Sequence, residues 1–129
     1  MIADFSNTRP IYKQIEDMLL LSIARGNLAP GTKVSTVREL AASLKVNPNT
    51  VQKSLTRLEE MGYLYTERTS GRYVTQDEKL ISALKANLPR EITEAYLKEM
   101  QECGITPDEV PAYVASFIES KAERTKPNE

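Results

Sequence analysis

The sequence has no histidine, no tryptophan, one cysteine and no apolar run longer than the four residues Met18–Leu21. Without histidine, neither a Ser-His-Asp or Cys-His arrangement nor a His-containing metal site can be assembled. A lone cysteine makes neither an intrachain disulfide nor a Cys₄ zinc site. The short apolar run excludes a membrane-spanning helix. The opening residues lack the basic-then-apolar pattern of a secretory signal, so the protein is expected in the cytoplasm. The carboxylates, lysines and tyrosines show no spaced constellation, so neither an enzyme nor a metal or cofactor is expected.

The 129 residues suffice for one ordinary domain, or for a small domain with an appendage, and leave no room for a second full ligand-binding domain. Net charge is −1, but its distribution is uneven: residues 8–76 hold ten bases against six acids, and residues 77–129 seven bases against eleven acids. The first segment is therefore basic by four charges and the second acidic by four. A basic segment of this kind suits a polyanion.

Pro10 suits a first helical position, and Ile11, Ile15, Met18, Leu19 and Ile23 recur on one helical face, which predicts a helix over 10–26 closed by Gly26. Beyond the turn Ala29-Pro30-Gly31-Thr32, Thr36 and Glu39 have capping-box spacing, and Val37, Leu40, Ala41 and Leu44 form an apolar face. Asn47 then reads as an N-cap and Pro48 as the first residue of a helix reaching about Met61. With Val51, Leu55 and Leu58 turned to the core, Asn49, Gln52, Lys53 and Thr56 share a solvent face without an acid. Amides can bond bidentately to adenine edges, and lysine or threonine can reach bases or phosphates. Tyr63–Arg68, Thr69-Ser70-Gly71 and Arg72–Thr75 read as a β-hairpin. Helix-turn-helix followed by a hairpin with Arg68 and Arg72 beside its tip is the order of a winged helix.

Five spaced motifs, Pro10–Ile15, Leu28–Gly31, Val37–Ala41, Val46–Val51 and Leu58-Glu59 with Gly62, resemble the winged-helix domain of the GntR family of bacterial transcription regulators. Asn47–Val51 and a remainder of some fifty residues look like its small YtrA subfamily. The resemblance implies backbone contact by Arg38, base reading from Asn49 through Thr50 to Gln52, and minor-groove approach at Gly71. It departs from the family at Pro48 and Gln52, where some members carry arginine, and at Ser35, where many carry proline. The full expected DNA-contacting set is Arg9, Thr36, Arg38, Asn47, Asn49, Thr50, Gln52, Lys53, Thr56, Arg68, Ser70, Gly71 and Arg72.

The expected architecture is mainly α with a small β-hairpin: a winged helix-turn-helix DNA-binding domain over 1–76, then a helical dimerisation segment over 77–129 with a disordered C-terminal tail. Leu80, Ile81, Leu84 and Leu88 form one stripe before Pro89 interrupts. Ile92, Tyr96 and Met100 mark a helix from Glu91 to about Cys103. Thr106, Pro107 and Glu109 predict the cap of a last helix with Val110, Val114, Phe117 and Ile118 on its face. These stripes exceed what so small a segment can bury alone, which favours a homodimer over a helical lid on a monomer. Cys103, with Lys98 its only nearby cation, is expected to be a partly buried spectator, and the six tyrosines to be core or interface residues.

This reading makes the protein a homodimeric regulator on a pseudo-palindromic double-stranded DNA operator, which the family resemblance implies to be a repressor, with no membrane association and with room for an unidentified small-molecule effector at the dimer interface. The alternative is a winged-helix module that grips a protein. The acid-free face and the arginines of the wing argue against it.

Overall fold

The computed structural model describes residues 5–125. In chain order these form α1 (Ile11–Arg25), α2 (Val37–Leu44), α3 (Pro48–Glu60), β1 (Leu64–Glu67), β2 (Gly71–Val74), α4 (Glu78–Glu102) and α5 (Val110–Thr125). The tail expected to be disordered lies outside the described residues. The chain divides into two compact units between Asn87 and Leu88.

The first unit is a mainly helical winged helix. Its core joins Ile15, Leu19 and Ile23 of α1 to Leu40 and Leu44 of α2, Val51, Leu55 and Leu58 of α3, and Leu64 and Val74 of the hairpin, all buried. Each such aliphatic side chain contributes about 1.5–3 kcal/mol on burial. Pro10 is the residue before α1 rather than its first helical residue, with ψ at 138°, and Gly26 closes the helix at φ 85°. Both halves of the Thr36/Glu39 capping box form at α2. At α3 the Asn47 side chain accepts from the Asn49 N–H, with Pro48 in the first turn.

Polar groups also hold α1 to α3. The Ser54 hydroxyl lies 2.8 Å from the Tyr12 carbonyl and 3.2 Å from that of Thr50, making contacts shared between the two helices. Buried Glu16 accepts from the Arg57 guanidinium, and this hydrogen bond, foremost, raises the arginine's pKa.

The two strands pair antiparallel, with Leu64 opposite Val74 and Glu67 opposite Gly71. A third segment, not expected from the sequence, lines β2: Val34 N–H donates to the Arg72 carbonyl at 2.9 Å and Val74 N–H to that of Thr32 at 2.9 Å, with a bridge between Lys33 and Tyr73.

Pro89 does not interrupt α4. Proline deprives the Lys85 carbonyl of its helical donor, but alanines, leucines and charged residues of high helix propensity surround it. The Pro89 carbonyl also accepts a 2.7 Å hydrogen bond from the Thr93 hydroxyl.

The second unit holds the rest of α4 and α5. Its last helix begins three residues later than the capping pattern suggests, at Val110. Pro111 has no N–H to offer the Pro107 carbonyl, so Val110 donates to it instead at 3.3 Å and the entry turn is tighter than α. The Thr106 hydroxyl points to Glu109 Oε1 at 2.8 Å, while the Glu109 N–H goes to the Thr106 carbonyl.

Candidate nucleic-acid interface

The α3 face presents Asn49, Gln52 and Lys53 exposed, with Thr50 and Thr56 half-buried and Asn47 exposed at the cap. Gln52 Nε2 donates to Thr56 Oγ1 at 3.1 Å, which fixes the amide along the helix and leaves its oxygen as an acceptor. Lys53 leans back towards α1: its Nζ lies 3.9 Å from the centre of the Tyr12 ring, with the Arg57 guanidinium 5.3 Å from the same ring. Packing on the π face removes rotamers from the lysine without neutralising it.

At α2, Thr36 Oγ1 accepts from the Glu39 N–H. The returning hydrogen bond from the Thr36 N–H, aided by that hydroxyl and by nearby Lys33, outweighs desolvation and holds the Glu39 carboxyl below its ordinary pKa. Arg38 is exposed in the same turn.

On the wing, Arg68, Ser70 and Gly71 are exposed. Tyr65 and Tyr73 stack at 5.7 Å, and the Tyr73 hydroxyl donates to Ser70 Oγ at 2.8 Å. Arg72 departs from the expectation of a free cation: its Nε donates to Glu59 Oε1 at 2.7 Å, and its side chain is 22% exposed. The reason is its register position opposite Thr66, on the rung that meets the last turn of α3. Arg9 is likewise paired, with Asp17 at 2.7 Å, although both side chains are about half exposed.

A cleft of about 340 Å³ lies between the α2 entry and the wing, where Thr36, Ser70, Gly71 and Arg72 come together with Lys33. Lys33 was not legible as a site residue, because only the pairing of its segment with β2 brings it to the wing tip. A Cβ on Gly71 would stand 3.2 Å from Lys33 Cε.

The apolar stripe ascribed to dimerisation divides. Ile81 and Leu84 are already buried within the chain, each 6% exposed, so these two are not free for a second copy as expected, while Leu80 beside Gly62 is half-buried. The cause is the start of α4. Asp77 Oδ1 accepts from the N–H groups of Lys79 and Leu80 and anchors the first turn directly after the hairpin. Leu88 is half-buried. In the second unit, Ile92, Phe117 and Ile118 are 58–61% exposed, and Tyr96, Met100, Val114, Phe117 and Tyr113 line an apolar hollow of about 500 Å³. Cys103 is exposed rather than partly buried, because it falls in the turn that follows α4.

Among the described residues, no group of His, Cys, Asp or Glu could hold a metal ion and no helix is long and apolar enough to cross a membrane.

The sequence profile described as "Bacterial regulatory proteins, gntR family" matches residues 11–74. The chain is 36% identical over 115 residues, 89% of its length and 95% of the relative's, to YhcF, an uncharacterized HTH-type transcriptional regulator of Bacillus subtilis. It is 38% identical over 76 residues, 59% of its length and 58% of the relative's, to the HTH-type transcriptional repressor YtrA of the same organism. A solved GntR family transcriptional regulator from Listeria monocytogenes superposes with a TM-score of 0.79 at 38% identity, covering 87% of this chain and 98% of that one. With the winged helix in place, these likenesses show that the chain belongs to the GntR family of DNA-binding transcriptional regulators.

Proposed function

We propose that the protein is a cytoplasmic, homodimeric transcriptional repressor in which each winged helix reads one half of a pseudo-palindromic operator. The observation that carries this reading is the exposed, acid-free face of Asn49, Gln52 and Lys53 on a helix flanked by a wing with Arg68 at its tip. The α3 amides supply base readout, while Arg38, Lys53, Arg68 and the newly placed Lys33 supply phosphate contacts. Thr36, Ser70 and Gly71 line the cleft where a sugar-phosphate strand would pass.

The second unit is the dimerisation element in this reading. Ile92, Phe117 and Ile118 leave large apolar areas in water, and a second copy would cover them. Two half-sites about 34–36 Å apart, or a multiple of that, follow from two-fold symmetry. A small apolar effector would find room beside Tyr96, Met100 and Tyr113. The similarity to YtrA, a repressor, supports repression over activation.

Gel shift of the full chain on DNA upstream of its own gene, followed by selection from genomic fragments, tests the reading. A discrete complex that resists competitor DNA is expected. Binding to no fragment would overturn it.

A further inference from the structure

We infer that Glu59 is a positioning residue for DNA recognition, latching the wing to the recognition helix through Arg72 and Thr66. The inference rests on the DNA-binding reading above and assigns Arg72 to the latch rather than to the DNA backbone.

Glu59 lies in the last turn of α3, and its Oε1 accepts from two side chains at once: the Thr66 hydroxyl on β1 and Arg72 Nε on β2, the latter at 2.7 Å. Thr66 and Arg72 face each other in the hairpin register. One carboxylate oxygen therefore ties both strands, on a single rung, to the helix that reads bases. The next rung, Glu67 opposite Gly71, is already the tip. Glu59 and Arg72 are 29% and 22% exposed, so salt screens this pair less than a fully exposed one. Partial burial pushes the Glu59 carboxyl up, but the hydrogen bonds from Thr66 and Arg72 and the arginine's charge more than offset it, and the group sits below its ordinary value.

The geometry makes the latch consequential. At its root the hairpin is fixed by buried Leu64 and Val74. A strand of four residues spans about 13 Å, so a tilt of about 15° at the root would carry the tip by roughly 3 Å. Such a shift breaks any hydrogen bond or phosphate contact made at the tip. The Thr32–Val34 segment holds the outer edge of β2, and the ion pair, which in this assignment touches no DNA, adds the tie that sets the wing's separation from the helix that reads bases.

The test is operator binding by the full-length protein, measured by anisotropy as a function of salt on DNA that the wild type selects. E59Q and R72Q are each expected to weaken binding about tenfold with the salt slope unchanged, since no phosphate contact carried by Arg72 is lost. R72E alone is expected to lose far more, and the exchanged pair E59R/R72E to recover to within about threefold of wild type. Overturning results are a slope that falls by about 2 units in R72Q, which makes Arg72 a direct phosphate contact, or an exchanged pair that binds no better than R72E, which leaves no coupling between the two residues for a latch. Amide exchange of the free proteins is an independent measure: faster exchange confined to the hairpin in E59Q supports the latch, and an unchanged hairpin overturns it. Wild type that binds no DNA at all overturns the latch together with the reading it rests on, whereas failure of the exchanged pair alone leaves that reading standing.

Discussion

Lys33 crosses the wing where Gly71 has no side chain: a Cβ there would meet Lys33 Cε at 3.2 Å, and Gly71 holds φ at 120°, a conformation L side chains rarely adopt. Both constraints act on one residue. The Gly71→Ala variant should lose about 1–3 kcal/mol of stability from backbone strain and should bind DNA more weakly, because its methyl displaces the lysine. Chemical denaturation and anisotropy check the two effects. Full stability with full binding would show that Lys33 and Gly71 are not coupled.

Phosphate contacts and base contacts should separate by mutation. Arg38→Ala and Lys33→Gln should weaken binding to every sequence and lower the salt slope of a dimer by about 2 units each, one contact per subunit. Gln52→Ala should leave the slope alone and relax preference at one base position, at about 1–3 kcal/mol of discrimination. Affinities on a panel of single-base operator variants at several salt concentrations distinguish them. Uniform losses from Gln52→Ala across the panel would contradict its role.

Acid should destabilise the fold through its capped carboxylates. Glu39 and Glu109 are held below the ordinary carboxylate pKa, Glu39 by the Thr36 N–H and hydroxyl and Glu109 by the Thr106 hydroxyl and N–H. Groups with a depressed folded pKa contribute stability that is fully present above their unfolded value and is lost as pH falls through the folded one. Melting temperature should therefore be flat with respect to these groups between pH 7 and about 5 and should fall below about pH 4.5. Glu39→Gln, which has no charge to lose, should reduce that acid dependence. Thr36→Ala should cost about 1 kcal/mol at pH 7, the usual loss for a capping residue.

The second unit should carry association. Replacing exposed Phe117 or Ile118 with aspartate places a charge in the proposed subunit contact. Sedimentation at micromolar concentration should show a dimer for the wild type and a monomer for either variant, with the melting of the winged helix preserved. A wild-type monomer under those conditions would contradict the assignment.

The elements that were legible in the sequence are those written in local spacing. Thr36 with Glu39, Asn47 with Pro48, and the Val51-Leu55-Leu58 face are separations of one to four residues, and the structure forms each as expected. What was not legible depends on register between distant segments. The pairing of Val34 with Arg72, which delivers Lys33 to the wing, joins segments some forty residues apart and leaves no periodic trace in a stretch so short. The Glu59 latch has the same origin, since Arg72 reads as a free wing cation until Thr66 is placed opposite it. Pro89 was misleading in the other direction: a single breaker signal was outweighed by its helix-forming neighbours. Ile81 and Leu84 read as part of one long stripe, although the anchoring at Asp77 commits them to the interior.

Whether the winged helix reads a specific operator through phosphate and base contacts is measured by the salt dependence of binding to selected operator DNA beside a scrambled duplex. With Lys33, Arg38, Lys53 and Arg68 of two subunits on phosphates, the log–log slope should be about −7, and the operator should be preferred by about a thousandfold or more over the scrambled duplex. A slope near zero, or equal affinity for both duplexes, would rule out sequence-specific DNA binding through this face.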